Sequence, residues 1–219
     1  MDAFIVDPTT TRDISELLLD ADGRLRVVPA SVLASTTAKE RFMFGVHHGI
    51  YGLPTAELCS FLRERIAGRT AIEVGAGHGV LAQALGIPAT DSRLQEQPEI
   101  VAYYRAIGQP TVRYGAHVEK LDAAAAIAKY RPQVVIGSWI THLADPQRPE
   151  SGGSAHGVDE GQLIAACDEY ICIGNQQVHQ HKPIWAMPHE RVTPPWLYSR
   201  AINGTPDFIA WWKRPANPR

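Results

Sequence analysis

IEVGAGHGVLAQALG, residues 72–86, sets three glycines in five positions (Gly75, Gly77, Gly79) between a short apolar run and a stretch that opens a helix. Glycines in such a strand-to-helix turn let the backbone approach a ligand, because no Cβ stands in the way. Outward from the turn the chain alternates. TAIEV before it reads as a buried strand and GVLAQALG after it as a helix. PAT then runs as a short strand into Asp91, and QEQPEIVAYYRAIG is helical, with Pro98 near its start. PTVRYGA reads as a strand, LDAAAAIAKYR as a helix, QVVIGSW as a strand, DEGQLIAACD as a helix and EYICIGN as a strand. This rhythm predicts an α/β fold with a doubly wound, mostly parallel sheet and helices on both faces. The tail WLYSRAINGTPDFIAWWKR reads as two strands turned at Asn203-Gly204, a C-terminal antiparallel hairpin.

Upstream, residues 14–21 predict a short helix and residues 23–28 a short strand. Thr55 is an N-cap candidate for a helix whose apolar face is Leu58, Phe61, Leu62 and Ile66. The expected organisation is an N-terminal helical extension or cap over residues 1–52 and a ligand-binding domain over residues 53–219. The 219 residues are 45% hydrophobic and 20% charged, which suits a globular chain with a real core. No apolar run approaches the roughly 18 residues that span a bilayer. The first residues lack the basic and apolar regions of a signal peptide. Three cysteines without CxxC spacing fit a reducing compartment, so a cytoplasmic location is expected.

A dinucleotide fingerprint, GxGxxG, needs its third small residue at position 80, and that position is Val80. The pattern is instead E-x-G-x-G-x-G from Glu73, with an acid, Asp91, 18 residues later. This form resembles the class I S-adenosylmethionine (SAM)-dependent methyltransferases. The resemblance implies a seven-stranded type of sheet and SAM as cofactor. The turn from Gly75 through Ala76 and Gly77 to Gly79 would run along the methionine and ribose of SAM. Asp91 would accept bonds from the ribose hydroxyls, and Glu73 would orient the turn or reach the cofactor's amino group. Where the family usually places an acid near the adenine, this chain has His117 and Val118.

GIYGLPTAEL is similar to a segment that some amino-methylating DNA methyltransferases place ahead of the glycine motif. There it implies a role for Tyr51 or Thr55 at the methionine end of the cofactor; on its own chemistry the stretch is a capped helix. Those enzymes follow the fourth strand with (Asp/Asn/Ser)-Pro-Pro-(Tyr/Phe). This chain has Ser138-Trp139-Ile140-Thr141-His142, in which only the serine matches, so DNA amino methylation is not expected. Ser138, Trp139 and His142 remain candidates for the reacting end, with Ser138 also near the cofactor. His142 and His48 are the candidate bases, since imidazole titrates near neutral pH.

His179, His181 and His189 lack the ligand number and spacing of a zinc site, and no metal is expected. The segments holding them (residues 175–195) and residues 145–161 read as long polar loops over the site. Residues 176–219 carry six basic and two acidic side chains and four of the five tryptophans, on a chain of net charge −2. That pattern leans to a nucleic acid, while the overall charge leans away. A SAM-dependent methyltransferase with a small-molecule or nucleic-acid acceptor is therefore expected. The alternatives are a non-catalytic SAM-binding module and another SAM-using reaction on the same scaffold.

Overall fold

The structure, a computed structural model, describes residues 10–214. Helices α1 (Ser15–Leu18), α2 (Ala30–Ala34) and α3 (Ala38–His48) lead to strand β1 (Gly52–Leu53) and helix α4 (Ala56–Ile66). The alternating part follows as β2 (Ala71–Val74), α5 (Val80–Leu85), β3 (Ala89–Asp91), α6 (Pro98–Ala106) and β4 (Val118–Lys120). It continues as α7 (Ala123–Tyr130), β5 (Val134–Ser138), α8 (Glu160–Ala166) and β6 (Glu169–Asn175). Strands β7 (Glu190–Val192), β8 (Tyr198–Ser199) and β9 (Asp207–Lys213) come last.

Seven strands form one sheet in the order β4-β3-β2-β5-β6-β9-β7. The first five in that order are parallel, whereas β9 runs antiparallel to β6 and β7 antiparallel to β9. The period of two along β6 divides the core. Tyr170 and Cys172 join Leu163 and Ile164 of α8 on one face, and Ile171 and Ile173 join Leu58 and Leu62 of α4 on the other. A third cluster, including Ile14, Leu33, Phe44 and Leu53, holds the N-terminal helices together and meets Val80 and Tyr198. Thr37 and Glu40 close the start of α3 with a reciprocal capping box.

Four local expectations are corrected. Residues 23–28 form only isolated bridges, Leu25 to Leu19 and Val28 to Thr55, in place of a strand. Residues 110–116 form no strand, because the Val112 N–H is taken by the Gln95 side chain at 2.8 Å; the third parallel strand lies later, at β4. The closing hairpin pairs β9 with β7, not with β8. The Asn203-Gly204 turn does form, but β8 leaves the main sheet to pair with β1. Finally, residues 176–189 are not a free polar loop. His179, Lys182 and Ile184 are buried, and the indoles of Trp185 and Trp212 donate to the His179 and Ile184 carbonyls. No helix among the described residues is long and apolar enough to cross a membrane.

Candidate functional site

The strand order reverses between β2 and β5, and in open α/β sheets the crevice at that point, at the strands' carboxyl ends, takes the ligand. A cavity of about 420 Å³ lies there. Gly75 and Gly77 line it with φ of 61° and 56°, in the left-handed region that side-chain-bearing residues disfavour. A Cβ on Gly75 would fall 2.6 Å from the Ile140 side chain. Ala76 between them ties the turn to β3, its N–H donating to the Thr90 carbonyl at 3.0 Å.

Asp91 ends β3 and clamps the turn. One carboxylate oxygen accepts from the Gly77 N–H at 2.9 Å and the other from the Arg93 N–H at 2.7 Å. Burial raises its pKa despite those two bonds. Glu73 also lines the cavity and accepts from the Ala82 N–H at 2.9 Å, in the first turn of α5. This supplies the cap that Gly79, with no side chain, cannot give. Burial, first of its causes, lifts the Glu73 pKa to about 8, so the carboxyl is largely protonated at neutral pH. Native Glu73 thus keeps a proton that the unfolded chain releases near 4.5, and stability falls as pH rises from about 5 to 8. Urea unfolding across that window is expected to show a loss of about 3 kcal/mol. Glu73→Gln should flatten it; an equally steep profile in that variant would place the titrating group elsewhere.

The opposite wall comes from segments distant in sequence. Gln95 donates to the Tyr104 hydroxyl at 3.1 Å, and Tyr104 and Tyr51 share a hydroxyl contact of 3.1 Å. The Arg200 guanidinium stacks on the Tyr51 ring at 3.7 Å from its centroid. Burial and then the Tyr51 hydroxyl raise the Tyr104 pKa. Ser138 and Trp139 line the cavity beyond β5. Trp139 has φ 59°, a strained setting for a bulky residue of the kind that gathers at functional sites. Its N–H is held by the Ile173 carbonyl at 2.8 Å, and its ring meets His179 edge-on at 5.2 Å.

Six expected site residues lie away from the cavity. His142 is buried beneath residues 151–158, its ring nitrogen against the Ser151 carbonyl at 3.2 Å; burial and Lys182 lower its pKa. His48, half-buried between α3 and α1, contacts the Ser15 hydroxyl at 3.0 Å and the Phe44 ring. Thr55 caps α4 through the Leu58 N–H and donates to the Trp196 carbonyl, so its hydroxyl is fully engaged. Gly79 faces His117 and Val118 behind the turn; His117 bonds its carbonyl at 3.0 Å, and Val118 packs in the core of β4. The later start of the third strand explains the last two positions: Val118 is in the strand itself, not beyond it.

His179, His181 and His189 do not converge. His179 accepts the Asn175 N–H and is held near pKa 4 by burial, while His189 bonds the Met187 carbonyl. No group of three or more potential metal ligands occurs among the described residues. Tyr104, Gln95, Tyr114 and Tyr198 line the cavity without a signal in the sequence; Asp207 stood near one, the Asn203-Gly204 turn, and His156 lies in residues 145–161, read as a loop over the site.

No protein-family model matches the chain, and no curated protein matches it. Among solved structures it is similar to a precorrin-6y C5,15-methyltransferase from Geobacter metallireducens GS-15, at 12% identity and TM-score 0.37 over 73% of this chain and 89% of that one. It is also similar to protein 1320 of Thermoplasma acidophilum, at 14% and 0.34 over 73% and 89%. A third is SMU.776 complexed with SAH, the demethylated product of SAM, at 9% and 0.34 over 69% and 48%. These likenesses are distant, and the architecture rests on the strands themselves. The strand order, the antiparallel closing strands and the glycine turn after β2 give the chain a doubly wound, mostly parallel α/β sheet.

Proposed function

We propose that the chain is a SAM-dependent methyltransferase that holds SAM along the Gly75–Gly77 turn. The observation that carries this reading is the composition of the cavity wall. It joins two positive-φ glycines to the carboxyl groups of Glu73 and Asp91, and neither Lys nor Arg lines it. A dinucleotide needs free N–H groups at the helix start for its pyrophosphate. Here the Ala82 N–H is given to Glu73 and the Gly77 N–H to Asp91. The Asp91 carboxylate in that place disfavours phosphate and suits a nucleoside that carries positive charge, while the protonated Glu73 withholds an N–H that a phosphate would need.

Each oxygen of Asp91 takes one protein bond, which leaves lone pairs for ribose hydroxyls. Bound SAM supplies an electrophilic methyl group on a positively charged sulfur. The chain's own part is to position that group and keep water away, the two effects on which such a displacement depends. Ile140, Ile173 and Leu197 give the apolar floor, and Ser138, whose hydroxyl has no hydrogen-bond partner among the described residues, lines the same cavity. No histidine is required as a base when the acceptor arrives with a free lone pair, so the positions of His142 and His48 do not count against transfer. Calorimetric titration with SAM, SAH, ATP and NAD+ tests the reading. SAM and SAH are expected to bind one to one and the two phosphorylated nucleotides not at all; tighter binding of NAD+ or ATP than of SAM would overturn it.

A further inference from the structure

We propose that the methyl acceptor is a small amine, not a nucleic acid or a phosphorylated compound, and that Asp207 holds its nitrogen. This rests on the methyltransferase reading and specifies its second substrate. Asp207 begins β9, three strand positions along the sheet from the glycine turn, and lines the cavity. Its Oδ1 accepts from the Asn175 side-chain amide at 3.0 Å and from the Ser199 hydroxyl at 2.9 Å. Its Oδ2 accepts from no group among the described residues, so a fixed carboxylate presents one open oxygen. Asn175 is itself fully buried and held by Asn203 and the Thr205 hydroxyl, so the carboxylate sits on a rigid support.

The register places this oxygen relative to the reacting end. Ser138 pairs with Ile173 and Ile173 with Ile209, while Asp207 pairs with Asn175. With a side-chain period of two, Ser138, Ile173 and Asp207 share one face of the sheet. Two strand spacings and a two-residue offset put the Ser138 and Asp207 backbones about 12 Å apart. The acceptor nitrogen then lies between these two side chains, over Ile173, within reach of both. The Trp139 ring lines the same volume, and an aromatic face beside a carboxylate attracts an ammonium group.

The described basic and aromatic side chains of the tail are engaged within the protein. Lys182 is buried on Glu160, Lys213 pairs with Glu190, and Arg214 donates to the Ala165 carbonyl. Arg191 lies over Phe208 and Arg200 over Tyr51. Trp211 and Trp212 are buried in β9, and Trp185 and Trp196 pack on other rings. Two of the tail tryptophans are thus in the core and two are half-buried against other rings, and among the described residues no Lys or Arg lines the cavity to form a phosphate-binding track.

The transfer balances. An amine bound as its ammonium first passes a proton to Asp207 Oδ2 and from there to solvent, which frees its lone pair. That lone pair forms the new N–C bond, the S–C bond breaks with its electron pair left on sulfur, and the positive charge passes from sulfonium to the methylated ammonium.

The test is calorimetric binding of three matched probes, phenethylamine, 2-phenylethanol and phenyl phosphate, to the protein with saturating SAH and again without it. Phenethylamine is expected to bind at least tenfold more tightly than the alcohol, and phenyl phosphate not at all. In Asp207→Asn, which keeps the side-chain shape, the preference for the amine should vanish. Equal binding of the alcohol, tighter binding of the phosphate, or a preference that survives in Asp207→Asn would each overturn the proposal. If that variant does not fold, the probe order in the native protein still decides. Failure of SAH itself to bind would instead remove the cofactor reading, while the amine preference stays measurable in the arm without SAH.

Discussion

Gly77→Val and Asp91→Ala are each expected to abolish SAM binding in calorimetry, with affinity falling by at least about 100-fold. Gly77 adopts φ 56°, where a β-branched residue is held only at a cost of about 1–3 kcal/mol, so valine should drive the turn into another conformation. That shift would also withdraw the Gly77 N–H from Asp91 and aim the carboxylate away from the ligand. Asp91→Ala removes the acceptor for two N–H groups and the lone pairs meant for the ribose hydroxyls. Hydrogen bonds to a charged group contribute roughly 1.5–3 kcal/mol each, so losing two accounts for the predicted drop. Asp91→Asn, which keeps one acceptor oxygen, should lose less than the alanine variant. Circular dichroism separates lost binding from lost fold. SAM affinity unchanged in Asp91→Ala would remove this carboxylate from the cofactor site.

Lys182→Met is expected to destabilise the protein by about 3–5 kcal/mol, the usual cost of leaving one member of a buried ion pair alone. Both side chains are essentially without solvent contact, and the Lys182 ammonium donates to Glu160 Oε2 and, at 3.0 Å, to the Ile140 carbonyl. The other Glu160 oxygen accepts from the buried Tyr170 hydroxyl at 2.6 Å. Removing the ammonium strands a carboxylate and a carbonyl in the core. The double variant Lys182→Met/Glu160→Gln should recover much of the loss, because no unpaired charge then stays buried. The same contact fixes the backbone beside Trp139, so the single variant should also weaken SAM binding more than its stability loss alone explains. Urea unfolding of the three proteins measures this; a loss under 1 kcal/mol in Lys182→Met would show the pair to be solvated.

The parallel sheet was legible because its strands are buried runs of Ile, Val and Cys separated by helices of regular length, and that pattern is local. The glycine turn was legible for the same reason: Gly75, Gly77 and Asp91 carry their meaning in spacing. His142 and His48 misled because an imidazole near a strand end or loop says nothing about which way its ring points. In the fold one is covered by residues 151–158 and the other turns to Ser15. Lys182 looked like part of a solvated basic tail, yet its partner Glu160 lies 22 residues earlier, on α8.

By itself the sequence determined the alternating sheet, the glycine turn and the two acids that move it from pyrophosphate toward SAM, all properties of residues near one another in the chain. Only the tertiary structure decided the rest of the cavity: Tyr51 beside Tyr104, Asp207 on the same face as Ser138, and the tail folded inward. Those contacts join residues 30 to 70 positions apart. They follow from strand register and from the burial of polar groups that must find partners, and neither is written in any short stretch of residues.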